Sequence, residues 1–98
     1  MIKYLKEDNF YDEVSKGVVL VDFYADWCGP CQMMGEILEN VDANILKVNT
    51  DEFGEVAQKH GVMSIPTLVL YKDGSEVDKM IGLQSKEDIE NFINQKGK

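Results

Sequence analysis

Residues 18 to 25, VVLVDFYA, are apolar or aromatic at every position except Asp22. A strand with one wet face alternates apolar and polar side chains, whereas a nearly continuous apolar run is the pattern of a strand covered on both faces. This stretch reads as the central strand of a parallel or mixed sheet with helices above and below. Cys28 follows Asp22 by six residues and is separated from Cys31 only by Gly29 and Pro30.

The rest of the chain supplies the layers. Met34, Ile37, Leu38 and Val41 recur at i, i+3, i+4 and i+7, which predicts a helix from Cys28 to Asn40 and places the thiols at its N-terminus. Ile45 to Asn49 reads as a short strand. Phe53, Val56, Ala57 and His60 repeat the helical spacing ahead of Gly61, a left-handed stop. Thr67 to Tyr71 and Glu76 to Ile81 form a hairpin about Lys72-Asp73-Gly74-Ser75, and Ser85 with Asp88 is a capping box for a last helix carrying Ile89, Phe92 and Ile93. Ile2 to Leu5 is a weak edge strand, and Phe10 with Val14 marks a first helix ending near Gly17. The order is βαβαβαββα, without repeat or linker, and 98 residues suffice for a single domain over residues 1–98.

Composition removes several function classes. Ten basic against eighteen acidic side chains give a net charge of −8, which repels nucleic acid and anionic membrane surfaces. The N-terminal residues have scattered charges and no apolar core of a secretion signal, and no stretch is long enough to span a membrane. Both cysteines sit in one motif, with none left for a distant staple, as expected of a cytoplasmic protein in a reducing compartment.

A lone C-x-x-C is compatible with structural zinc, but zinc takes four Cys or His ligands and the chain offers only Cys28, Cys31 and His60; no metal site is expected. As a structural disulfide it would close too short a loop to remove much unfolded-chain entropy. Two thiols one helical turn apart do suit a redox couple. Cys28, among unpaired backbone N–H groups at the positive end of the helix, is the expected nucleophile, and Cys31, deeper on the same face, the resolving thiol. Pro30 costs no hydrogen bond in the first turn, and Gly29 leaves room for a substrate backbone.

Together with VDFYADWCGPC at 21–31, the SIPT at 64–67 and the DG at 73–74 make the chain resemble the thioredoxin family over essentially its whole length. The resemblance implies the thioredoxin fold, a mixed five-stranded sheet flanked by four helices. It implies reduction of protein disulfides through a mixed disulfide, with no bound cofactor beyond the Cys28–Cys31 couple and with electrons from a thioredoxin reductase. Nothing calls for more than a monomer. Two rival readings are a more oxidising oxidase or isomerase, disfavoured by Gly-Pro between the cysteines, and a thioredoxin-like binding module with incidental thiols.

Asp22 has two readings. As a buried acid it would be tied down by a hydrogen bond or by Lys47, which is itself flanked by apolar residues in ILKVN. Alternatively, desolvation raises its pKa toward neutrality and fits it to take the proton of Cys31. The resemblance implies the second role and puts Lys47 beside it.

For Pro66 the sequence alone favours a trans peptide, while the resemblance implies a cis Ile65–Pro66 bond facing the cysteines. Trp27, with Gly29, Pro30, Ile65, Gly82 and Leu83, resembles the family's apolar docking surface. His60 reads as a satisfied structural histidine, and Met33 and Met34 as packing. Gln32 and Glu36 depart from the family pattern, which usually has a basic residue and a proline there, and Tyr24 stands where tryptophan is common.

Overall fold

The computed structural model describes residues 1–98, and its elements alternate as the periodicity requires: β1 (Ile2–Tyr4), α1 (Phe10–Glu13), β2 (Val18–Tyr24), α2 (Gly29–Leu38), β3 (Ile45–Asn49), α3 (Gly54–Lys59), β4 (Thr67–Lys72), β5 (Ser75–Ile81) and α4 (Lys86–Lys96). The five strands form one mixed sheet in the order β1-β3-β2-β4-β5. β2 is central as its composition demands, parallel to β3 and antiparallel to β4.

Alternation along β2 divides the apolar residues between two cores. Val19, Val21 and Phe23 pack with Phe10, Val14, Ala57 and Tyr71 on the face covered by α1 and α3. Leu20 packs on the other face with Met34 and Leu38 of α2, Ile45, Leu68 and Leu70 of the sheet, and Ile89 and Phe92 of α4. Each fully buried side chain of this size contributes about 1.5–3 kcal/mol, so the two layers together hold the helices to the sheet. Met34 belongs to this second core, whereas the adjacent Met33 points outward and is exposed. No helix is long and apolar enough to cross a membrane.

Two helices are shorter than the sequence expectation. α1 stops at Glu13, not near Gly17, because the Ser15 N–H and Oγ both donate to the Asp12 carbonyl and tighten the chain into a turn. Gly17, at φ +70°, serves the entry to β2 instead, its N–H donating to Asp73 Oδ1 at 2.7 Å. α2 is also shorter at both ends than Cys28 to Asn40, with Cys28 as its N-cap and Glu39 as its C-cap. Gly61, at φ +69°, is the left-handed stop beyond α3. The Ser85 Oγ accepts the Asp88 N–H at 3.1 Å, the cap that starts α4.

The β4–β5 turn places both Asp73 (φ 49°) and Gly74 (φ 88°) in the left-handed region, the conformation of a two-residue type I′ hairpin. A Cβ at Gly74 would meet nothing closer than the Ser15 Cα at 3.8 Å, so its cost is conformational and not steric. Gly74→Ala is therefore expected to lower stability by about 1–2 kcal/mol. The check is a shifted urea midpoint with an unchanged m-value.

Candidate active site

The end of β2 delivers the chain into α2 through Ala25, Asp26 and Trp27. Cys28 is extended (φ −89°, ψ 110°) and caps the helix, and its Sγ accepts the Cys31 N–H at 3.2 Å. A sulfur in this position meets the positive end of the helix dipole and a backbone donor, both of which favour thiolate over thiol. Pro30 lies in the first turn, where a missing N–H costs nothing. Beside Gly29 the space a Cβ would fill is empty.

Cys28 and Cys31 lie within disulfide-forming reach, their Cα atoms 5.2 Å apart. They form a small apolar nest with Ala25, against which Tyr24 and Ile65 pack. Both cysteines are buried, Cys31 slightly more so. Ile65 closes the nest, its carbonyl 4.0 Å from the Cys28 Sγ. The Ile65–Pro66 peptide is cis, as the resemblance implied and against the general preference.

The expected docking residues surround the pair. Trp27 is 71% exposed, which rules out a packing role, and its Nε1–H donates to Asp51 Oδ2 at 2.9 Å. That bond ties the loop before α2 to the loop after β3. Asp51 carried no sequence signal, since an acid behind a strand is an ordinary loop residue. Gly29, Pro30 and Leu83 are exposed and Gly82 is half-buried, its N–H donating to the Pro66 carbonyl at 2.8 Å. Gln32 donates its side-chain amide to the Asp26 carbonyl at 2.9 Å, bracing the front of the motif loop.

Asp22 and Lys47 are direct partners in the β2–β3 register. Asp22 is fully buried and Lys47 nearly so, with Lys47 Nζ 3.4 Å from Asp22 Oδ2. This is an ion pair without hydrogen-bond geometry, and both carboxylate oxygens lack a donor. Burial raises the Asp22 pKa from 3.8 to about 6, with the charge of Lys47 pulling the other way and not prevailing. Lys47 and Cys31 line one cleft of about 530 Å³, together with Tyr4, Tyr24, Asp26, Gln32, Gly35, Glu36 and Glu39.

His60 stands apart from this site. Its Nδ1 is 2.8 Å from the Tyr71 hydroxyl and its Nε2 is buried without a partner, so it is only half satisfied. Burial lowers its pKa and keeps the ring neutral. It borders a second cleft of about 520 Å³ between α1 and α3, which contains neither cysteine.

A mixed sheet of this order that presents two thiols at the N-terminus of the helix after its central strand defines a class, the α/β dithiol–disulfide oxidoreductases. Comparison with known proteins narrows it. The thioredoxin family model matches residues 1–95. The chain is 44% identical to the thioredoxin of Chlamydia caviae, over 97% of this chain and 98% of that one, and 45% identical to the thioredoxin of Bacillus subtilis, over 90% of each. Among solved structures, a mutant thioredoxin from Halobacterium salinarum superposes with a TM-score of 0.89 at 38% identity, covering 99% of this chain and 91% of that one. The chain belongs to the thioredoxin family. It is a protein-disulfide oxidoreductase whose redox pair is Cys28 and Cys31.

Proposed function

We propose a division of labour in which Cys28 attacks, Cys31 resolves and Asp22 accepts the proton that separates the two steps. The observation that carries it is the Cys28 sulfur at the N-cap of α2, receiving the Cys31 N–H. The Cys28 thiolate attacks one sulfur of a substrate disulfide; a mixed disulfide forms and the other substrate sulfur leaves as thiolate. Cys31 then gives its proton to the Asp22 carboxylate, directly or through one water, and its sulfur attacks the Cys28 sulfur. The Cys28–Cys31 bond closes, the second substrate thiolate leaves, and two electrons have passed to the substrate. A carboxyl with a pKa of about 6 is ionised at pH 7 yet basic enough to hold the proton in passing.

Substrate docks on the surface of Trp27, Gly29, Pro30, Ile65, Gly82 and Leu83, with Pro66 buried behind Ile65. The Ile65 carbonyl beside the Cys28 sulfur supports this placement, since an extended substrate segment can pair with backbone there. The couple works without a cofactor of its own and is returned to the dithiol by a thioredoxin reductase. It acts as a monomer in the cytoplasm, consistent with a chain whose only cysteines are the redox pair.

Cys31→Ser tests the order of events. Without a resolving thiol, the reduced variant incubated with a disulfide-bonded protein should accumulate a mixed disulfide through Cys28, visible as an added mass lost on reduction. An adduct that fails to form, or forms equally well in a Cys28→Ser variant, would reverse or remove the assignment.

A further inference from the structure

Lys47 is the one buried lysine of the chain, and its surroundings are built from three strands and a helix. Tyr4 of β1, Lys47 of β3 and Asp22 of β2 occupy one row across the sheet, and Tyr24 lies two residues beyond Asp22 on the same face of β2. Lys47 Nζ stands 4.6 Å from the centroid of the Tyr24 ring and 5.7 Å from that of Tyr4. The two rings meet edge to face at 6.3 Å. On the α2 side the neighbour is Gly35, where a Cβ would come within 3.2 Å of Nζ.

An ammonium has three protons to place. Asp22, its ion-pair partner, is off hydrogen-bond geometry, so the faces of the two rings supply much of the favourable field that water would supply outside. The cleft also pulls against the pair, because Asp26, Glu36 and Glu39 line it together with Lys47 and draw the ammonium outward. From α2, Cys31, bonded to Cys28, also lines that cleft and adds no charge there. Opposite Asp22 on β4 is Leu68, and α4 presents Ile89 and Phe92 to that face, so neither element adds a charge.

We infer that Tyr4 and Tyr24, with the space left by Gly35, form an aromatic cage that holds the Lys47 ammonium against Asp22 and so fixes the field under which Asp22 takes the proton of Cys31. Both tyrosines are positioning residues, and the inference deepens the proposed role of Asp22 and rests on it. The cage adds to the attraction of the ion pair and fixes where the ammonium sits relative to a carboxylate it does not hydrogen-bond. It also gives Tyr24 and Gly35 a joint purpose, a ring on one side and a missing side chain on the other.

The test is the titration of the Asp22 carboxyl, followed by carbon NMR in the oxidised protein, beside the pH profile of insulin reduction. Tyr24→Leu and Tyr4→Leu release Lys47 toward the cleft and weaken its pull on Asp22, so the titration moves upward by about half to one pH unit. The acid limb of the turnover profile moves with it. Tyr24→Phe keeps the ring and leaves both where they are in the wild type. In a Lys47→Met background, Tyr24→Leu produces no further shift. Tyr4 is 50% exposed, so Tyr4→Leu carries the test should Tyr24→Leu fail to fold. An unmoved titration in the Leu variants, a Phe variant as displaced as Leu, or a further shift without Lys47 overturns the cage. A titration that moves while the turnover profile stays fixed supports the cage and refutes Asp22 as proton acceptor.

Discussion

Asp22→Asn is expected to be slower and more stable at once. Asparagine cannot take the Cys31 proton, so the resolving step must use water, and turnover at pH 7 should fall about 10- to 100-fold. The stability change follows from linkage. The unfolded Asp22 titrates near 3.8 and the folded one near 6, so burial of the neutral acid favours folding below pH 3.8 and that advantage drains away as pH rises through 6. Above pH 6 the native state holds a desolvated carboxylate at a cost, relative to acid conditions, of about 3 kcal/mol.

Removing the carboxylate also removes the anion beside Lys47, an opposing effect. The balance is decided by geometry. Asp22 receives no hydrogen bond from Lys47, while in the variant the Lys47 ammonium keeps the faces of the Tyr4 and Tyr24 rings and the acid-lined cleft of Asp26, Glu36 and Glu39. A net gain of about 1–2 kcal/mol at pH 7 is expected, shrinking toward zero below pH 4, where the carboxyl is neutral in both states. Urea unfolding at pH 7 and pH 4 measures it. Equal stability at pH 7 with unchanged turnover would remove Asp22 from the chemistry.

Cys28→Ser has the larger effect. A serine hydroxyl is not ionised by a helix N-terminus, and it cannot form the disulfide that stores the two electrons. Reduction of a protein disulfide should drop at least about a thousandfold, to the rate of the external reductant alone. Stopped-flow mixing of the pre-reduced variant with excess substrate reads this without interference from recycling. Retained burst reduction would mean that Cys31 attacks directly and that the helix terminus does not select the nucleophile.

Much of this architecture is carried by patterns within single elements. The apolar run at 18–24 has only one comfortable place, the middle of a covered sheet, and its alternation assigns Val19, Val21 and Phe23 to one core and Leu20 and Asp22 to the other before any neighbour is known. The helical spacing after Cys28 likewise places the thiols at a helix start. What depends on two distant segments is less visible. The row Tyr4, Lys47, Asp22 exists only once β1 and β3 pair in a particular parallel register, and nothing within IKY or ILKVN states that register. Tyr4 therefore reads as an edge residue, not as a wall around a buried charge.

The same holds for Asp51 against Trp27 and for His60 against Tyr71, where each partner alone is unremarkable. The short α1 is a different case. Its end is set by Ser15 folding back on Asp12, a side-chain competition with the backbone that periodicity does not register. The cis peptide before Pro66 was legible only through family resemblance, because the local preference runs the other way.

The most direct measurement is the reduction of insulin disulfides by this protein at catalytic concentration with dithiothreitol as electron source, beside the same mixture without it. Insulin should be reduced markedly faster with the protein present, and the acceleration should vanish in Cys28→Ser. No acceleration over dithiothreitol alone would contradict the reductase assignment, leaving a thioredoxin fold whose thiols serve one specialised partner or none.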